Sequence, residues 1–161
     1  MNEETRKTLR LLMEHELALK ELYQAYAALF PSRADLWLRL AGDEQRHGDW
    51  LQTLLTAAEA AQDQRPCLWP RAAAVEASLR YVRTQIVRAG RAEIPLLTAL
   101  AVAQDLENAL LEKEFFKAAE GVCPEVHRVL DRLVAGTERH WRLVTEALDH
   151  ARHGQAGAAR K

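Results

Sequence analysis

The sequence predicts an all-α fold: an antiparallel four-helix bundle with a helical crossover segment between its second and third helices. Three observations predict it. Apolar residues recur at alternating steps of three and four along four separate stretches, the spacing of one helix face turned to a partner. Ala, Leu, Glu, Arg and Gln dominate, and β-branched residues never cluster as strands require. The prolines fall between the periodic stretches rather than inside them.

The first helix carries the seam Leu12, Glu16, Leu19, Tyr23, Tyr26, Phe30, and Pro31 ends it. Ser32 with Asp35 three residues on reads as a capping-box start to the second helix. The seam of that helix is Trp37, Leu40, Glu44, His47, Leu51, Leu54. Gln62 to Pro70, with Pro66 and Pro70, is the longest break. Arg71 to Ala89, closed by Gly90, is the crossover. The third bundle helix has Pro95 in its first turn, the seam Leu96, Leu100, Ala103, Glu107, Leu110, Glu114, and Gly121 at its end. Pro124 opens the last helix, with the seam Val126, Leu130, Leu133, Thr137, His140, Val144, Ala147. Residues 1–153 are expected to form the bundle and residues 154–161 a flexible tail.

Composition narrows the function classes. A length of 161 residues suits one domain with a well-formed core, and 48% hydrophobic with 28% charged residues is ordinary for a soluble globular chain. A net charge of −1 argues against nucleic-acid binding, which needs a basic excess to neutralise phosphates. No apolar run suits a membrane span, and Met1-Asn-Glu-Glu-Thr-Arg-Lys lacks the apolar stretch of a signal peptide. Cys67 and Cys123 are far apart and form no Cys-x-x-Cys pair, which suggests a reducing compartment. A cytoplasmic location and no membrane partner are therefore expected.

The seams are apolar except where they carry metal-ligand side chains. Glu44 and His47, three residues apart, project from one side of the second helix towards its partners. An unpaired carboxylate there costs several kcal/mol, on the order of other buried charges, and a bound metal ion removes that cost. Glu16 is the one charged member of the first seam, Glu107 and Glu114 lie in the third, and His140 lies in the fourth. The halves also repeat: Glu16 precedes His47 by 31 residues and Glu107 precedes His140 by 33. Glu16-Leu-Ala-Leu-Lys-Glu aligns with Glu107-Asn-Ala-Leu-Leu-Glu, and Gly42-Asp-Glu-Gln-Arg-His47 with Ala135-Gly-Thr-Glu-Arg-His140. A helical hairpin used twice places Glu16, Glu44, His47, Glu107 and His140 around one central site.

On these phrases, together with Leu22-Tyr23, Leu29-Phe30-Pro31, Trp37-Leu38-Arg39-Leu40-Ala41 and Asp105-Leu106-Glu107-Asn108-Ala109-Leu110, the chain resembles the ferritin-like superfamily, and within it the rubrerythrin-like branch. The resemblance runs from about Glu14 to His150. It implies a four-helix bundle with a dimetal, usually di-iron, site that reacts with oxygen or peroxide and draws on an external electron donor. Two departures stand out. Thr137 occupies the position three before His140 where the family has a second ligating Glu, and the rubredoxin-like electron-transfer domain is absent. Glu138, about 100° round the helix, would reach inward only through a helix bulge.

Three carboxylates and two imidazoles suit iron, with manganese or zinc as alternatives, as one ion or two. Two functions follow. The first is a rubrerythrin-like oxidoreductase acting on peroxide, oxygen or ferrous iron. The second is a ferritin-like bundle with a degenerate or mononuclear site that binds metal or a protein partner without catalysis. A homodimer is expected in either case. Glu114 lies about 10 Å along the helix from Glu107, too far for the same ions, and reads as a residue that supports the ligands or lines a channel. Tyr23 and Tyr26 read as core aromatics, and Trp37, Trp50, Trp69 and Trp141 as packing or interface residues. His15, His127, His150 and His153 fall off the seams and read as solvated.

Overall fold

The computed structural model describes residues 3–60, 72–112 and 124–158. These form α1 (Glu3–Leu29), a 3-10 turn (Pro31–Arg33), α2 (Ala34–Ala60), α3 (Ala72–Gly90), α4 (Leu96–Glu112) and α5 (Pro124–Ala158). The fold is all-α, with no strand among the described residues. No described helix is long and apolar enough to cross a membrane. The expected break at Gln62–Pro70, the helix end at Gly121, and Glu114, Trp69, Cys67 and Cys123 lie outside the described residues.

Side-chain pairs along each seam give the helix directions. Tyr26 meets Trp37 edge-on at 5.0 Å, Lys20 Nζ donates to Gln45 Oε1 at 2.7 Å, and Glu16 Oε2 lies 3.2 Å from His47 Nδ1. Numbers rising on α1 as they fall on α2 mean an antiparallel hairpin. Its corner forms because the residue before Pro31 is barred from helical backbone, and Phe30 sits at φ −123°, ψ 72°. α4 and α5 pair in the same sense, through Gln104 with Thr145 at 2.8 Å and Glu107 with His140 at 3.6 Å. α2 and α5 are antiparallel too, since Trp50 meets Arg132 while Asp43 meets His140. α3 runs alongside α1 in the same direction: Lys7 pairs with Glu76 and Glu14 with Arg83. The helical segment expected at Arg71–Ala89 is this helix, Ala72–Gly90.

The core collects the apolar seam positions. Leu12, Leu19, Tyr23, Trp37, Leu40, Leu51, Leu100, Ala103, Leu133 and Val144 are fully buried, joined by Val75, Leu79 and Val82 of α3. Burying each large aliphatic or aromatic chain contributes about 1.5–3 kcal/mol, so together they outweigh the cost of the few polar groups enclosed with them.

Local geometry differs from the sequence reading at three points. Ser32 lies inside the 3-10 turn and α2 follows at Ala34, so the capping box is not the start of the helix. Pro95 precedes α4, its carbonyl accepting from Ala99 N–H at 3.0 Å. α5 continues past His153 to Ala158, because Ala-rich sequence without proline tolerates single glycines at about 1 kcal/mol each. α3 ends at Gly90 as expected, and the left-handed residue that follows it is Ala92 (φ 54°). There Glu93 N–H bonds Arg88 carbonyl at 3.1 Å and Ala92 N–H bonds Ala89 carbonyl at 3.0 Å.

A Cβ in left-handed backbone is strained, and Ala92 is exposed, so its methyl loses little packing when removed. Ala92→Gly is expected to stabilise the protein by about 0.5–1 kcal/mol, read by urea denaturation. A loss of stability would show that α3 closes differently.

Candidate metal centre

Five ionisable side chains from four helices meet in this interior. Glu16 of α1, Glu44 and His47 of α2, Glu107 of α4 and His140 of α5 are all at most 1% exposed. Glu44 is the hub. Its Oε2 lies 2.9 Å from His47 Nδ1 and its Oε1 2.9 Å from His140 Nδ1. Glu16 Oε2 approaches His47 Nδ1 at 3.2 Å from one side, and Glu107 Oε1 approaches His140 Nδ1 at 3.6 Å from the other. The imidazole rings stack with centroids 5.2 Å apart and planes 25° from parallel. This is the pseudo-symmetric pairing that the repeated hairpin predicts.

The fit to a metal rests on what these atoms fail to do for each other. Glu44 Oε1 and His140 Nδ1 are 2.9 Å apart, yet neither makes a hydrogen bond. Glu16 Oε1 and Glu107 Oε2 are likewise buried without a hydrogen-bond partner. Buried polar atoms are ordinarily satisfied, so a cluster of such atoms in one place signals a missing common partner. Donors about 2.1 Å from an ion and at right angles to one another lie roughly 3.0 Å apart, which matches the Glu44 and histidine separations. Glu44, His47 and His140 each offer a ligand atom within 4.8 Å of the others and could hold a metal ion.

Charge balance in the metal-free centre follows from burial. Burial opposes protonation of both histidines, but the carboxylates beside them outweigh it. Glu16 and Glu44 raise His47 to about 9, and Glu107 and Glu44 raise His140 to about 10. Glu44 is held below the ordinary carboxylate range: burial and Glu107 push it up, and the two imidazoles beside it outweigh them. Glu16 is pushed up to about 7 by burial and by the charge on Glu44. Protonated at neutral pH, the two imidazoles would supply the positive charge that a divalent ion would otherwise bring.

Neighbouring groups orient the five. Tyr23 Oη–H donates to Glu107 Oε1 at 2.6 Å, and burial followed by the Glu107 charge keeps that phenol protonated. His140 Nε2 faces Asp43 Oδ2 at 3.1 Å, which leaves Nδ1 pointing inward. Asp43 in turn pairs with Arg46 and, at 3.6 Å, with Arg139. Lys20 goes to Gln45, so none of these three cations reaches Glu16 or Glu107.

Sequence reasoning missed three contributors. Asp43 is 5% exposed and sits one turn before His47 on the same helix, a spacing that marks it in hindsight. Gly136 lies against His47: a Cβ there would collide with Nε2 and stand 2.7 Å from Cε1. His15, expected in solvent, is fully buried, with Nε2 2.9 Å from Ser78 Oγ. It points to the side of α1 that α3 covers, a face that periodicity alone reads as surface. His127, His150 and His153 are exposed as expected. Thr137 is buried at 2%, whereas Glu138 is exposed and pairs with Arg142 at 3.4 Å, so no inward bulge brings Glu138 to the centre.

Comparison with protein-family models, with curated proteins and with solved structures finds no match to this chain.

Two outcomes follow from this geometry. The raised histidines favour the folded metal-free protein below their unfolded value near 6.5, and that contribution is lost as pH rises through about 9 to 10. Thermal stability of chelator-treated protein should therefore fall between pH 7 and 10. Metal binding at pH 7 should release about two protons, measured by calorimetry in buffers of different ionisation enthalpy. Release of none would refute the protonated pair. Gly136→Ala should displace the His47 ring, cost about 1–3 kcal/mol of stability, and weaken metal binding at least tenfold. Unchanged affinity would mean that the ring is not held for ligation.

Proposed function

We propose that this chain is a metal-binding protein of the ferritin-like superfamily, similar to the rubrerythrin-like branch, with iron as the first choice of ion. The observation that carries the reading is Glu44, whose two oxygens each face a histidine Nδ1 at 2.9 Å in a dry interior, one of the pairs without a hydrogen bond. The hairpins α1–α2 and α4–α5, joined through a helix lying along α1, support the superfamily assignment.

Glu44, His47 and His140 would hold the ion, with Glu16 and Glu107 completing the donor set on either side. Such an ion supplies an open coordination position and one-electron chemistry for peroxide, oxygen or ferrous iron. The protein's part is positional. Tyr23 holds a proton 2.6 Å from Glu107 Oε1 and fixes that carboxylate. Asp43 sets the His140 tautomer. Leu19, Leu51, Leu100 and Leu133, within two turns of these groups on their own helices, are fully buried, and a low-dielectric interior strengthens the charge interactions inside it. Turnover would draw its electrons from a donor outside this helical interior.

Thr137 favours the second reading, a one-ion site that binds without turnover. It is buried where the pseudo-symmetric partner of Glu44 would stand, and Glu138 does not replace it. Lacking a second bridging carboxylate, the protein should hold one ion tightly and a second weakly.

Elemental analysis and titration of wild-type protein purified without chelator should give one tightly bound ion. Glu44→Ala and His47→Ala should each lower affinity about a hundredfold or more while circular dichroism stays helical, and Thr137→Glu should raise the count towards two. Unchanged metal content in both alanine variants would sink the site, and two ions in wild type that survive Glu138→Ala would refute the account of Thr137. Peroxide consumption by iron-loaded protein then separates the oxidoreductase from the binding module.

A further inference from the structure

Behind His140, between α2 and α5, lies an open hollow of about 570 Å³ lined by Leu38, Arg39, Gly42, Asp43, Arg46 and Arg139. Three arginines and one carboxylate therefore share its wall. Arg46 and Arg139 both lean on Asp43, and Arg39 makes no ion pair among the described residues. Asp43 cannot turn outward to satisfy all three, because it is 5% exposed and its Oδ2 is held by His140 Nε2 at 3.1 Å. The nearest other acid on α5, Glu138, is engaged with Arg142. Positive charge and guanidinium N–H donors are left over, facing a space that is open beside Gly42, where a Cβ would meet nothing within 4 Å.

We propose that this hollow binds a small phosphate-type oxyanion, either the free ion or a phosphate monoester, with Asp43 relaying its occupancy to His140. Planar guanidinium forks match tetrahedral oxyanions through paired hydrogen bonds, and half-exposed arginines reach one without refolding. The hollow is larger than a bare phosphate, and Leu38, 54% exposed, offers an apolar rim for an ester's substituent. Because Asp43 competes with the ligand for Arg46 and Arg139, an incoming oxyanion draws those arginines away and leaves Asp43 to act on His140 alone.

The test uses metal-free full-length protein, so it does not depend on the metal reading. Calorimetry with inorganic phosphate and with phenyl phosphate should show saturable binding. Binding should weaken about tenfold or more in the Arg39→Gln/Arg139→Gln variant and stay unchanged in Arg142→Gln, which alters an exposed arginine outside the hollow. Asp43→Asn should tighten it severalfold by releasing Arg46, an effect that mere loss of structure does not produce. Tighter phenyl phosphate binding assigns an ester, and equal or weaker binding assigns the free ion. The His140 imidazole resonances should shift on saturation in wild type but not in Asp43→Asn. Absence of saturable binding for both probes, wild-type affinity in the double variant, or weaker binding in Asp43→Asn would overturn the site. Resonances that do not move in wild type would overturn the relay.

Discussion

Burial of the Glu44 carboxylate between two imidazoles is the constraint on which the rest of this structure depends. A carboxylate enclosed by leucines is costly unless positive charge or hydrogen-bond donors reach it, and here both oxygens are met from different helices. That requirement brings α2 against α5, and the approach is close enough that residue 136 must lack a side chain. It also sorts the other carboxylates. Because Glu44 keeps its charge, Glu16 beside it is pushed up to about 7, and Glu107 is held by a phenol rather than a cation. Two imidazolium ions in the metal-free centre and one divalent ion with neutral imidazoles are electrostatically similar solutions to the same problem. One set of side chains can therefore fold without metal and still present ligands to it.

Around that centre the supporting groups form two separate shells. Towards α1, Tyr23 stacks on Trp37, which meets Tyr26, so the phenol that orients Glu107 is locked by aromatic packing. Towards solvent, Asp43 links His140 to an arginine-lined hollow, so the second imidazole is steadied by charge rather than by packing. The apparent symmetry of the repeat stops at these shells. His47 has Trp50 and a bare glycine backbone beside it, and His140 has a carboxylate. A bound ion would therefore experience unequal halves, the more so because the repeat aligns Thr137, not a carboxylate, with Glu44.

The sequence by itself determined the helical class, the positions of four of the helix starts and ends to within a few residues, and the five inward-facing ionisable groups. These were readable because each rests on local periodicity. A step of three or four residues assigns a side chain to a helix face, and a lone Glu or His in an apolar seam stands out against its neighbours. Proline does the same for the joints, since it removes a helical hydrogen bond wherever it falls.

Only the tertiary structure decided which faces other than the seams are covered, and how closely the backbones approach. His15 became buried because α3 lies along α1, a contact between residues far apart in sequence that no local spacing encodes. Asp43 acquired its role because His140 comes to it from α5, and Gly136 because the His47 ring lies on its backbone. The left-handed backbone at Ala92 is likewise not local: α3 ends at Gly90, and how the chain turns after it is set by where the next helix must pack. Periodicity tells which way a side chain points along one helix. What it points at depends on the packing of helices separated by dozens of residues, and that is set by the whole buried interior at once.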